Sequence, residues 1–235
     1  RAVHKSFKLG EHVIQALRGV DLRVASREFL AISGTSGSGK STLLNLLGCL
    51  DQPSSGSIHF EGTDVSGLDE KSLAALRAQK IGFVFQTFNL LPVLTALENV
   101  EYPLLKLKMT AKEREKMGML ALERVGLGQF AHHQPAQLSG GQRQRVAVAR
   151  ALVKTPAVIL ADEPTANLDA RTADGILNLM EDLNRTEGVT FVFSSHDPTI
   201  LKRACRVVRL ADGVVTDVAA AYGEVARSGS EGVHS

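Results

Sequence analysis

The octapeptide "GTSGSGKS", Gly34 to Ser41, restricts the fold of this chain more than any other feature. It satisfies G-x-x-x-x-G-K-S/T at every fixed position, follows the apolar run "EFLAIS" (Glu28 to Ser33) and leads directly into the helical pattern "STLLNLLGCL". Strand, glycine loop and helix in that order make a phosphate-binding loop. Glycine lets the backbone turn its N–H groups onto phosphate oxygens, and the helix N-terminus adds unpaired donors and the positive end of a dipole. Gly34, Ser36, Gly37, Ser38 and Gly39 are read as the wrap, with Thr42 counted among the nucleotide-binding residues of the first helical turn. Lys40 reaches the β- and γ-phosphates, and Ser41 offers a hydroxyl to Mg²⁺.

The remaining apolar runs fit a core built around that loop. "IGFVFQ" (Ile81 to Gln86), "AVILAD" (Ala157 to Asp162), "TFVFSS" (Thr190 to Ser195) and "RVVRLADGVV" (Arg206 to Val215) read as buried strands, with helical patterns between most of them. Such alternation specifies an α/β fold with a largely parallel sheet covered on both faces. "SGSIHFEGTDV" (Ser55 to Val65) alternates between Gly56 and Gly62 and predicts an antiparallel hairpin or edge sheet, which the N-terminal segment to Val24 can join. Residues 87–137 turn helical, with Met117, Leu120, Ala121 and Val125 on one face of "AKEREKMGMLALERVGL". They read as an inserted helical subdomain, which extends to about residue 155 when the next helix is counted with it. After Asp217 the composition shifts to Ala, Gly and Ser, so one domain is expected over 1–217 and a flexible tail over 218–235.

Two strand ends supply chemistry that the loop lacks. "VILADE" ends in adjacent acids, at the sheet edge where α/β folds bind ligands. Asp162 is the Mg²⁺-side acid, directly or through water, and Glu163 is placed to polarise an attacking water. "FVFSSHD" repeats the geometry and ends on His196, which can contact a γ-phosphate or hold the catalytic water. Gln86, closing another strand, is an amide that can coordinate Mg²⁺ or a water. By contrast His132 and His133 are adjacent, so their side chains diverge, and His4, His12, His59 and His234 form no constellation.

Composition narrows the partners. With 27 basic against 25 acidic residues the net charge is +2, so no global basic field points to nucleic acid. The longest apolar runs fall short of the ~18 residues that a spanning helix needs. Cys49 and Cys205 have no ligand spacing, read as small buried hydrophobes and fit a reducing compartment. The chain begins at Arg1 rather than Met, so its start carries no localisation argument.

A second glycine pair stands in "LSGGQRQRVAVARAL" (Leu138 to Leu152), where Val146, Ala149 and Val153 repeat at i, i+3 and i+7. Ser139, Gly140, Gly141 and Gln142 thus open a helix and present a second set of orphan N–H donors and a hydroxyl, without a lysine. One nucleotide does not need two cradles from one chain. If both bind phosphate, two chains arranged head to tail, each cradle facing the other chain's loop, satisfy both.

The set of Gly34 to Ser41, Gln86, "LSGGQ", "VILADEPTANLD" and His196 resembles the nucleotide-binding domain of an ABC transporter, over roughly residues 1–217. The resemblance implies a P-loop NTPase of the ABC type, with an antiparallel β subdomain and the inserted helical subdomain. It implies a homodimer closed around two Mg-ATP, each site pairing the P-loop of one subunit with Ser139, Gly140 and Gly141 of the other. Phe7 matches the aromatic that stacks on adenine, Glu163 the catalytic base and His196 the switch histidine. "ANLD", ending at Asp169, matches the loop that crosses the dimer interface, and Asp169 is counted among the nucleotide-binding residues. "LLNLLGCLDQPSSG", "IGFVFQTFNLLPVLTALENVEYPL" and "ADEPTANLD" are similar to the MacB and LolD group, which drives macrolide or peptide export and lipoprotein release. Phe7 stands where tyrosine is commoner, and Ala166 where this group usually has glycine.

ATP hydrolysis coupled to transport is therefore expected, at the cytoplasmic side of the inner or plasma membrane and peripheral through a transmembrane permease docked near Gln86 to Asn99. "FNLLPVL" (Phe88 to Leu94) reads either as the docking groove or as core of the helical subdomain. MacB-like proteins can also carry cassette and membrane region on one polypeptide. A non-transport ABC-type ATPase acting on nucleic acid or the ribosome is the alternative. Such proteins usually carry a long coiled-coil insertion, zinc modules or two cassettes, whereas here about fifty residues separate Gln86 from Leu138 and one P-loop is present. A single-site kinase or GTPase leaves "LSGGQ" and His196 unexplained, and no NKxD-type motif reads guanine.

Overall fold

The computed structural model describes residues 1–10 and 12–220. Its centre is a six-stranded sheet of β3 (Phe29–Ser33), β6 (Ile81–Phe85), β7 (Val158–Asp162), β8 (Phe191–Ser194), β9 (Arg206–Ala211) and β10 (Val214–Ala220), in the order β10-β9-β3-β8-β7-β6. All neighbours are parallel except β10, which runs antiparallel to β9 at one edge.

Alternation along β3 shows why the apolar runs are continuous. Phe29 and Ala31 belong to one hydrophobic cluster, while Leu30 and Ile32 belong to the other on the opposite face. Both faces are covered, so Phe29 to Ile32 are all apolar. The first cluster is completed by α3 (Ala96–Glu101), α4 (Ala111–Arg124), α5 (Gly140–Leu152) and α6 (Ala170–Glu187). The second receives Leu43, Leu44 and Leu46 of α1 (Lys40–Leu47) and Leu73 of α2 (Glu70–Lys80).

Four expectations are revised. "RVVRLADGVV" is two strands, because Asp212 and Gly213 take positive φ (48° and 77°) and turn β9 back into β10. That pairing continues through Val218, Ala219 and Ala220, so the first three residues of the expected tail are strand; the rest of that tail lies outside the described residues. The N-terminal segment forms its own hairpin of β1 (Val3–Leu9) and β2 (His12–Val20). It shares no ladder with β4 (His59–Phe60) or β5 (Thr63–Asp64), and meets the stretch before them through an isolated His4–Ser55 bridge and hydrogen bonds such as Ser57 N–H to Arg1 O at 3.0 Å. On α4, Leu120 is 57% exposed, whereas Gly118, Ala121, Leu122 and Val125 face the core. At 3.6 residues per turn these four span about 100° centred away from Leu120.

Between β6 and β7 the chain is helical or irregular, comprising α3, α4, α5 and three short 3₁₀ turns. Thr95 and Thr110 open α3 and α4 as capping boxes with Glu98 and Glu113. Their backbone and side-chain partners hold both glutamates below the usual carboxylate range.

Candidate functional site

Strand register assembles the site. Phe85 pairs with Asp162, Asp162 with Ser194, and Ser194 with Ile32, in one row across four parallel strands. The residues that follow each leave the sheet at its carboxyl edge: Gln86, Glu163, Ser195 with His196, and Ser33 leading into Gly34. In an open α/β sheet the loops at that edge form the ligand crevice.

The P-loop has the expected form. Gly37 and Gly39 have φ of 80° and 102°, and Gly39 caps α1. A Cβ on Gly39 would lie 2.6 Å from the Ala16 carbonyl oxygen, and one on Gly34 would lie 2.2 Å from that of Leu210. Only glycine lets the loop pass between these strands. Lys40 Nζ donates to the carbonyls of Gly34 (2.7 Å) and Thr35 (2.9 Å), which curls its ammonium over the loop. Ser36 and Gly37 are exposed, Ser41 is exposed on the first turn, and Thr42 is half-buried. Ser38 Oγ is buried without a hydrogen-bond partner among the described residues.

The acidic strand end is tightly held. Asp162 ends β7 half-buried. Glu163 has φ of 42°, outside the comfortable range of a residue with a Cβ. Its N–H donates to Ser194 O at 2.9 Å. Glu163 Oε1 lies 2.6 Å from His196 Nδ1, and Oε2 accepts from Ser195 Oγ at 2.8 Å. His196 is 75% exposed by side chain against 18% for Glu163, so the imidazole can swing away while the carboxylate stays.

Gln86 is exposed and meets Asn167: its carbonyl accepts from Asn167 Nδ2 at 3.1 Å and its Nε2 donates to Asn167 Oδ1 at 3.4 Å. Asp169 caps α6, accepting from Thr172 N at 3.0 Å, and that bond holds it below the usual aspartate range. Phe7 lies on β1 opposite Ile14, 42% exposed, with Lys5 Nζ 5.0 Å from its ring centre.

The second glycine pair stands apart. Ser139 Oγ accepts from Gln142 N at 3.2 Å, and Gln142 Oε1 accepts from Ser139 N at 2.8 Å, a capping box that leaves the N–H groups of Gly140 and Gly141 outward. No hydrogen bond among the described residues joins Ser139, Gly140, Gly141 or Gln142 to the P-loop, Asp162 or Glu163. The glycines also have a packing reason: a Cβ on Gly141 would meet Thr172 Cγ2 at 2.4 Å. The helices α2, α3 and α4 carry Glu70, Glu98 and Glu113 in their first turns, whereas α1 and α5 carry no acid there. Both glycine-rich helix starts therefore keep the positive end of the dipole uncompensated, which suits an anion.

An anionic nucleotide with its cation fits these donors. The Ser38 hydroxyl needs a partner, the glycines admit close backbone approach, and the Lys40 ammonium rests only on carbonyls. Ser41, Gln86 and Asp162 are oxygen donors of the kind that Mg²⁺ prefers.

Four side chains that tie the segments of this region together escape sequence reasoning. Asn167 lies inside "ANLD" and Ser195 beside His196, so each stood next to a recognised signal. Gln144 is fully buried with Nε2 on Pro164 O at 2.5 Å, and Arg150 donates to the carbonyls of Phe88 (2.8 Å) and Asn89. Nothing local in α5 announces those partners. "FNLLPVL" divides: Leu90 packs against the core, while Leu91 and Val93 are 38% and 77% exposed.

The chain matches the family model "ABC transporter" over residues 17–166. It is 48% identical over 226 residues to the macrolide export ATP-binding/permease protein MacB of Syntrophobacter fumaroxidans, which covers 95% of this chain and 32% of that protein. The chain thus spans about a third of the length of such relatives. It is also 48% identical to the lipoprotein-releasing system ATP-binding protein LolD of Anaeromyxobacter dehalogenans, covering 92% of this chain and 91% of that one. Among solved structures, the ATP-binding cassette MJ0796 of Methanocaldococcus jannaschii superposes with a TM-score of 0.86 at 45% identity, covering 95% of this chain and 98% of that one. That structure is described as a dimeric post-hydrolysis state bound to ADP and Pi.

Proposed function

We propose, for a chain that belongs to the ABC transporter family and is an ATP-binding, ATP-hydrolysing subunit of the MacB and LolD type, that two copies close around two Mg-ATP and drive a membrane permease. The observation that carries the dimer is that one chain holds two glycine-rich helix starts, neither with an acid in its first turn and with no hydrogen bond between them among the described residues. A ligand held by the P-loop of one copy and by Ser139, Gly140 and Gly141 of the other satisfies both.

In this reading the backbone from Gly34 to Gly39 and the Lys40 ammonium hold the β- and γ-phosphates, and Phe7 stacks on the adenine. Ser41, Gln86 and Asp162 hold Mg²⁺, which supplies neutralisation of the phosphate oxygens. Glu163 takes the proton of the attacking water, and His196 exchanges its bond to Glu163 for the γ-phosphate. Gln142 keeps Ser139 aimed, and Asp169 sets the start of α6 beside the dimer interface. Closing two chains over the phosphates excludes water, which strengthens each of these interactions. Loss of the γ-phosphate removes the shared ligand and lets the dimer open.

The domain spans residues 1–217 or slightly beyond, with the helical subdomain at about 87–155. No helix among the described residues is long and apolar enough to cross a membrane. Transport then needs a membrane region, on a partner subunit or on a longer form of this chain, at the cytoplasmic face. Exposed Leu91 and Val93, next to Gln86, are the proposed contact. Export of a macrolide or peptide and lipoprotein release are the candidate tasks. Neither requires nucleic acid.

The test is Glu163→Gln. Removing the base should cut turnover by ~10²-fold or more while ATP still binds and the dimer becomes more stable. Wild-type turnover in that variant sinks the assignment.

A further inference from the structure

We propose that Ser195 is the positioning residue for the carboxylate of Glu163, holding Oε2 so that Oε1 is the oxygen that meets the attacking water. The inference rests on the reading of Glu163 as general base.

Ser195 follows β8 and is fully buried. Its backbone N–H donates to Ile32 O at 3.0 Å, which ties it to the strand that feeds the P-loop. Its hydroxyl has two partners: Asp197 N–H donates to Oγ at 3.1 Å, and Glu163 Oε2 lies 2.8 Å away. An ionised carboxylate only accepts, and a serine hydroxyl has a single hydrogen. With Asp197 donating to Oγ, that hydrogen goes to Oε2, and the direction of the bond is settled by its neighbour.

The two oxygens of Glu163 are therefore held in different ways. Oε1 is bound by His196, whose imidazole is largely in solvent and is needed elsewhere once a phosphate is present. Oε2 is bound by a hydroxyl that has no room to leave. When His196 turns to a phosphate, Ser195 still fixes the carboxylate plane, against a backbone that Glu163 enters at a φ of 42°. Freed Oε1 then faces the crevice. Misplacing a catalytic group by about an ångström can cost as much as ~10²-fold, so this bond acts on rate and not on affinity.

Ser195→Ala should lower kcat by about tenfold, within that range, with KM for Mg-ATP and ATP-dependent dimer formation unchanged. Ser195→Thr keeps the hydroxyl and should retain most of the rate. The decisive measurement is single turnover in the Glu163→Gln background, where adding Ser195→Ala should change the residual rate by less than about twofold, because residues that act through one another are not additive. The proposal is overturned by a wild-type kcat in Ser195→Ala, by a tenfold loss in both backgrounds, by an effect confined to KM, or by a folded but inactive Ser195→Thr. Full turnover in Glu163→Gln itself removes the base assignment, a result distinguishable from all of these.

Discussion

The two glycine-rich helix starts look alike in sequence and are built on different grounds. In the P-loop the glycines serve the backbone: Gly37 and Gly39 have positive φ, and Gly34 and Gly39 pass within contact of the Leu210 and Ala16 carbonyls. In "LSGGQ" both glycines lie inside α5 with no positive φ, and Gly141 is small because Thr172 of α6 occupies the space of a Cβ. In the proposed reading the first loop encloses a phosphate with its main chain. The second offers two outward N–H groups from a helix packed tightly onto the loop that follows Glu163.

The widest divergence between them is expected from Ser139→Arg. A long cation at the second cradle should abolish hydrolysis while the monomer still binds ATP through its own P-loop, as measured by nucleotide affinity beside turnover. A dilute, demonstrably monomeric sample that hydrolyses ATP at full rate breaks the shared-site reading.

Alanine in each cradle separates the two roles of glycine. Gly39→Ala sets a Cβ 2.6 Å from a backbone oxygen at a φ of 102°, and nothing nearby is free to yield. It should cost ~2 kcal/mol or more of stability and remove ATP binding. Gly141→Ala meets a side chain instead, so a loss of about 1–3 kcal/mol is expected, recovered in Gly141→Ala/Thr172→Ala. Thermal denaturation of the three variants checks this, and failure of the second change to restore the melting temperature removes the packing explanation.

The smallest effect concerns the far end of α5. Lys154 donates to Arg77 O, and burial pushes its ammonium down to about 8. Its folded value lies below the unfolded one, so the unfolded chain binds more protons between about pH 8 and 10.5 and stability rises with pH across that window. Below pH 8 the penalty is constant. Denaturant midpoints at pH 7.5 and 9.5 should show a rise in wild type that Lys154→Met lacks; equal slopes in both remove Lys154 as the cause.

Legibility in the sequence followed the range of the physical cause. The P-loop, the acid pair and the strands around them are local: a fixed spacing or an unbroken apolar run carries each. Leu120 was misplaced on α4 because four widely spaced apolar residues fit more than one stripe, and only packing chooses between them. "RVVRLADGVV" read as one strand because the turn at Asp212 and Gly213 is two residues long in an otherwise β-rich run. Ser195, Gln144 and Arg150 were silent, since a serine, a glutamine or an arginine acquires its role only from the carboxylate or carbonyl opposite it.

By itself the sequence determined that this chain has two glycine-rich helix starts, a parallel core and acids at a strand end, because local backbone geometry and apolar periodicity are properties of short segments. Only the tertiary structure decided which residues meet. Strand register sets Gln86, Glu163, Ser195 and Gly34 at one sheet edge, and α5 packs on α6 where Thr172 takes the space of a Gly141 side chain. Register and packing are sums over contacts distant in the chain, and no short segment carries them.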